Sequence, residues 1–174
     1  METIKAMTTS IPLLKIVVAG DGNVAKTSLV RQCCAGRFEQ SRVATIGVDF
    51  QTKTVEIKGE PVKLSIWDMA GQIHFQSVRT GLYRGSRTAA LVYDVTNPES
   101  LANLQSWYEE IIAVVPGQRF LVVGNKIDLS SNYDTTEAKR FAASIKAPYL
   151  TTSASTGEGV QKMFLGMAYL ALKK

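Results

Sequence analysis

Three short segments of the chain carry residue types that suit the binding of a phosphorylated purine. The first is Gly20-Asp21-Gly22-Asn23-Val24-Ala25-Lys26-Thr27, close to the Gly-x-x-x-x-Gly-Lys-Thr pattern of a phosphate loop. Such a loop wraps successive backbone N–H groups around phosphate oxygens, here those of Asp21, Gly22, Asn23, Val24, Ala25, Lys26, Thr27 and Ser28, and the helix that follows adds a partial positive charge. Lys26 would reach the β and γ phosphates, and Thr27 would place its hydroxyl on Mg²⁺. Ala25 departs from the pattern, which has glycine there. With that glycine relaxed, a chance match arises in roughly one chain of this length in ten, so the loop alone is not decisive.

The second segment is Asp68-Met69-Ala70-Gly71-Gln72. An aspartate at a strand exit can hold Mg²⁺ through water, the Gly71 N–H can meet a γ-phosphate, and Gln72 can orient an attacking water. The third is Asn125-Lys126-Ile127-Asp128, where the Asp128 carboxylate can accept from the N1–H and exocyclic amine of guanine. Adenine offers no such pair of donors, so this contact would discriminate between the bases. Taken alone, Asp-x-x-Gly reads as a turn and Asn-Lys-x-Asp as a polar turn. Their joint occurrence, in this order after the phosphate loop, favours the ligand reading.

The elements that must position these segments are legible as an alternation. Apolar runs at 15–19, 89–93 and 120–123, with a shorter one at 149–152, read as strands covered on both faces. Val55 and Ile57, then Val62, Leu64 and Ile66, alternate with polar residues around Gly59-Glu60 and predict an antiparallel hairpin. Asn97-Pro98-Glu99 starts a crossover helix whose apolar residues Leu101, Leu104, Tyr108, Ile111 and Val115 recur at helical spacing. A second helix runs from about Glu158, with Val160, Met163, Phe164, Met167 and Leu170 as core stripe. The pattern is that of an open, mostly parallel α/β sheet.

The 174 residues, 45% of them hydrophobic and 20% charged, suit one folded domain and exclude a second large one. Adjacent Cys33 and Cys34 cannot staple distant segments and fit a reducing cytosol. No apolar run reaches bilayer-spanning length, and Glu2 stands where myristoylation needs glycine. The formal charge of +5 comes from scattered basic residues, read as solvated surface plus a phosphate site rather than a nucleic-acid footprint.

Together the motifs resemble a Ras-superfamily small GTPase, and over nearly the whole chain the Rab branch. Thr45-Ile46-Gly47-Val48-Asp49-Phe50, Ile66-Trp67-Asp68 with Ala70-Gly71-Gln72, Tyr83-Arg84-Gly85 and Val92-Tyr93-Asp94-Val95-Thr96 carry the likeness. The resemblance implies a P-loop NTPase G domain over residues 11–174 behind an N-terminal extension at 1–10, with a six-stranded sheet, one antiparallel strand and five helices on both faces. It implies a GTP/GDP and Mg²⁺ switch in which Thr45 joins Thr27 and Asp68 at the metal and touches the γ-phosphate. Phe38 would cover the base, Lys126 would lie along it, and Ser153 with the Ala154 N–H would complete its pocket. Gln72, Lys26 and Thr45 are the implied catalytic residues. A guanine-nucleotide exchange factor, a GTPase-activating protein and effectors would read residues about 40–50 and 70–80. A cytoplasmic monomer is expected. The Tyr169-Leu170-Ala171-Leu172-Lys173-Lys174 end carries no prenylatable cysteine, so stable membrane anchoring would have to come from a missing tail or a partner.

Several residues depart from the family's pattern. The methyl group of Ala25 takes room where backbone must approach phosphate, so the chain either accommodates it or holds nucleotide weakly. The alternative function is therefore a Rab-like scaffold with weak binding or no turnover. An ATP-using phosphoryl-transfer enzyme is disfavoured by the Asn125 to Asp128 segment. Ile73 and His74 replace residues of the usual exchange mechanism, and His74 reads as a plain surface residue. Met69 and Ser155 look tolerable.

Overall fold

The computed structural model describes residues 10–35, 48–69 and 76–173. Six strands form one sheet in the order β2-β3-β1-β4-β5-β6. They are β1 (Leu13–Ala19), β2 (Val48–Ile57), β3 (Glu60–Met69), β4 (Thr88–Asp94), β5 (Arg119–Asn125) and β6 (Tyr149–Thr151). β2 runs antiparallel to β3 and every other pairing is parallel. The four buried runs are thus strands, each extended by a residue or two except β6, which stops at Thr151.

The hairpin turn sits one residue earlier than the sequence reading placed it. Ile57 pairs with Glu60 across Lys58 and Gly59, whose φ angles of 52° and 81° are the two positive values that a tight hairpin turn requires. Glu60 already belongs to β3.

Helices cover both faces: α1 (Lys26–Ala35), α2 (Gln76–Leu82), α3 (Pro98–Ala102), α4 (Leu104–Val114), α5 (Thr136–Ser144) and α6 (Val160–Leu172). Alternation along β1 divides the core. Leu14, Ile16 and Val18 pack with Leu29 of α1 and Met163, Phe164 and Met167 of α6. Val17 and Ala19 point the other way, towards Tyr83, Leu104, Trp107 and Ile111.

The expected crossover helix is two pieces, broken at Asn103. The Asn97 side chain accepts from the Glu99 N–H at 3.1 Å and Pro98 opens the first piece, as the sequence predicts. Val115 lies beyond the end of α4, its N–H bonded to the Ile111 carbonyl at 2.9 Å. Counting α3 and α4 as one interrupted path, the described residues hold the five helices implied by the resemblance. Parallel strands place all their C-terminal ends, and the loops that follow them, along one edge of the sheet.

Candidate functional site

The phosphate loop leaves β1 at Ala19 and enters α1 at Lys26, so its curl is set by backbone angles between two rigid elements. Gly20 has φ 142°, and a Cβ there would lie 2.2 Å from the Val92 carbonyl oxygen, so only glycine fits beside β4. Asn23 and Ala25 also occupy the left-handed region, at φ 58° and 72°. Asparagine tolerates this conformation, whereas alanine bears a cost of about 1–2 kcal/mol. Ala25 nonetheless begins the helix, its carbonyl accepting from the Leu29 N–H at 3.0 Å.

The loop is held from three sides. Lys26 is buried and its Nζ donates to the Asp21 carbonyl at 2.8 Å. The Asp21 carboxylate accepts from Asn103 Nδ2 at 2.6 Å and Trp107 Nε1 at 2.9 Å. The break between α3 and α4 thus falls at the residue that reaches back to the phosphate loop. From the opposite side, Asn125 Nδ2 donates to the Val24 carbonyl at 2.9 Å and Lys126 Nζ to the Asn23 carbonyl at 2.5 Å.

Burial pushes the Lys26 ammonium down to about 8, against the pull of the Asp68 and Asp21 carboxylates. Asp68, 2% exposed at the end of β3, has its carboxyl pushed up by burial, opposed by the Thr27 hydroxyl and by Lys26. Thr27 Oγ1 donates to Asp68 Oδ2 at 2.5 Å, while Asp68 Oδ1 is buried and has no hydrogen-bond partner. An orphaned carboxylate oxygen beside a threonine hydroxyl and a lysine is a costly arrangement unless a cation or ordered water meets it. These residues therefore fit Mg²⁺, whose hard oxygen preference matches a carboxylate and a hydroxyl and which keeps several of its waters.

The third segment closes the loop's other flank. Asn125 is fully buried, and its Oδ1 accepts from Thr152 Oγ1 at 2.9 Å and the Ala154 N–H at 3.3 Å. Lys126 turns the chain with φ 67° and pairs with Asp94 Oδ2 at 3.0 Å. Burial alone would raise the Asp94 carboxyl, but the Thr96 hydroxyl and N–H and the Lys126 ammonium hold it below the usual carboxylate range. Ser153 Oγ donates to Asp128 Oδ1 at 2.8 Å and accepts from the Thr156 N–H at 3.0 Å.

The residues of the three expected segments that the structure describes therefore meet at one sheet edge: Asp21, Gly22, Asn23, Val24, Ala25, Lys26, Thr27 and Ser28, with Asp68, and with Asn125, Lys126, Asp128, Ser153 and Ala154. Phe38, Thr45, Gly71 and Gln72 lie outside the described residues. The sequence reading assigned no role to Asp94, Asn103, Trp107 or Thr152. Asp94 and Thr152 could have been found as polar residues ending buried strands. Asn103 and Trp107 look like helix surface until the break turns them onto Asp21.

A phosphate loop after the first strand, a carboxylate at the end of a neighbouring strand and ligand loops along the C-terminal sheet edge define the P-loop class of α/β proteins. A model of the Ras family matches residues 15–173. "Ras-related protein Rab-30" of Homo sapiens is 44% identical over 159 residues, 90% of this chain and 78% of that protein. "Ras-related protein Rab-4" of Dictyostelium discoideum is 42% identical over 156 residues, covering 88% and 76%. "GTP-binding protein YPTM1" of Zea mays is 39% identical over 165 residues, covering 93% and 79%. The chain belongs to the Ras family, with a Rab-like G domain as its fold.

Proposed function

We propose that this chain is a guanine-nucleotide switch that binds GTP and GDP with Mg²⁺ and slowly hydrolyses GTP. The observation that carries the reading is the pair of bonds from Asn125 and Lys126 to the Val24 and Asn23 carbonyls. They tie the base-reading segment to the phosphate loop, so one ligand with a base and phosphates would span both. The relatives' names, Ras-related and GTP-binding, agree with it.

In this reading Asp128 accepts from guanine, with Ser153 fixing its carboxylate, and the Ala154 N–H lies beside the base. Lys26, buried and charged, stabilises negative charge as it grows on the transferring phosphoryl group. Thr27 and Thr45 would hold Mg²⁺ through their hydroxyls and Asp68 through water, the ion neutralising phosphate oxygens when bound. Gln72 orients the attacking water, Gly71 donates to the γ-phosphate and Phe38 covers the base. Positioning of this kind is slow without an added cation, so an activating partner is expected.

An exchange factor and effectors would read the segments about 40–50 and 70–80, in keeping with Phe50, which is exposed and stacked on Trp67 at 5.6 Å. Membrane traffic is the setting that Rab relatives suggest. The unit is proposed to be residues 11–174, working as a cytoplasmic monomer. Among the described residues no helix is long and apolar enough to cross a membrane.

Competition of labelled GDP by GTP and by ATP, with and without Mg²⁺, tests this reading. GTP should compete and ATP should not, and chelation of Mg²⁺ should speed release; equal competition by ATP would return the chain to the ATP-using class. Gln72→Leu should hydrolyse GTP more slowly than the parent, and equal rates would remove Gln72 from its role.

One observation favours the weak-binding alternative, namely Ala25 at φ 72°. If Ala25→Gly tightens GDP by more than about a hundredfold, some 3 kcal/mol, the methyl group is not accommodated and the scaffold reading gains.

A further inference from the structure

The two edges of the sheet carry opposite charge. Loops following the C-terminal strand ends hold Asp21, Asp94, Glu99, Asp128, Asp134 and Glu158. The segments at the other edge carry exposed Lys58, Arg84, Arg87, Lys146 and Lys173, against the carboxylates Glu56 and Glu60 of the hairpin. None of these five cations is ion-paired with a carboxylate among the described residues.

Apolar side chains are exposed on the same edge. Leu13 is 63% exposed, Tyr169 46% and Leu172 39%. Lys173 Nζ lies 5.0 Å and Lys58 Nζ 5.9 Å from the centre of the Tyr169 ring, so two ammonium groups from different elements flank one exposed aromatic.

We propose that this edge, opposite the nucleotide loops, is a docking surface for an anionic phospholipid bilayer. Clustered unpaired cations suit the negative potential of such a surface. An aromatic ring between lysines, with leucines beside it, suits the depth at which headgroups give way to acyl chains. A nucleic-acid backbone would use the cations and leave the leucines without a partner, which is why the bilayer is the occupant the surface fits. The contact is weak and reversible, with the nucleotide edge turned away from the lipid. It does not depend on which nucleotide the chain binds.

The test is sedimentation of the full chain with phosphatidylcholine vesicles, with and without roughly 30% phosphatidylserine, at about 0.1 M and about 0.5 M salt. Binding should require phosphatidylserine and fall at high salt. Each cation contributes about fivefold, so Lys58→Gln/Arg87→Gln/Lys173→Gln should weaken binding by about a hundredfold. Lys58→Glu/Arg87→Glu/Lys173→Glu should abolish it. The reversal Lys139→Glu/Arg140→Glu/Lys162→Glu, equal in net charge but placed on other surfaces, should cost much less. Tyr169→Ser/Leu172→Ser should weaken vesicle binding while leaving any affinity for a single-stranded oligonucleotide unchanged.

No binding by the parent chain overturns the proposal. So does binding that ignores phosphatidylserine, or equal losses from the two reversals. Tighter capture of the oligonucleotide than of the vesicles, with the same sensitivity to Lys58, Arg87 and Lys173, would make nucleic acid the partner instead. Unchanged melting temperature and bound nucleotide show that each variant is folded.

Discussion

The base-reading segment and the phosphate loop are held in different ways. Asn125, Thr152 and Ser153 are fully buried, and Asn125 uses both ends of its amide on protein partners. The phosphate loop keeps two non-glycine residues in left-handed backbone and takes its restraint from outside, through Trp107, Asn103, Asn125 and Lys126. One region is rigid because its own polar groups are satisfied, the other because its neighbours grip it. Strain is sustained where the surrounding structure over-determines the backbone.

The largest effects should come from breaking the rigid region. Asn125→Ala would strand the Val24 carbonyl and the Thr152 hydroxyl, and unfolding in urea should show a loss of about 2–3 kcal/mol. GDP affinity should fall as well, since the phosphate loop loses one of its ties. Asp128→Ala should leave stability within about 1 kcal/mol while weakening guanine nucleotides by about 2–3 kcal/mol, the worth of hydrogen bonds to a charged acceptor. Titration calorimetry against GDP separates the two variants.

Smaller effects sharpen the contrast on the phosphate-loop side. Trp107→Phe keeps the ring but removes the donor to Asp21 Oδ1, and GDP release should quicken by about tenfold, or 1.4 kcal/mol. Ala25→Gly should raise the melting temperature by about 2–4 °C, corresponding to about 1 kcal/mol of relieved backbone strain. Asn23→Gly should change it by less, because asparagine already tolerates its φ of 58°. If Asn23→Gly stabilised the chain more than Ala25→Gly, the assignment of strain to Ala25 would be wrong.

What could be read in the sequence follows the physics of each element. β1, β4 and β5 are continuous apolar runs because both sheet faces are covered, and α6 announces itself by an apolar stripe. α5 escaped notice because the residues it buries, Ala138 and Ala142, are small and leave almost no periodic signal. The break at Asn103 was equally invisible, since its cause is a partner 82 residues away in the phosphate loop. Motif spacing marked Lys26, Thr27, Asp68 and Asn125 because their chemistry is local to strand ends. It could not mark the unpartnered Asp68 Oδ1 or the grip on Asp21, which arise only when separate elements meet.

The most direct test of the central claim is to denature freshly purified chain and identify and count the nucleotide released. The joined base and phosphate loops predict guanine nucleotide near one per chain, mostly GDP if turnover has occurred. An empty chain, or one carrying adenine nucleotide, would contradict the account.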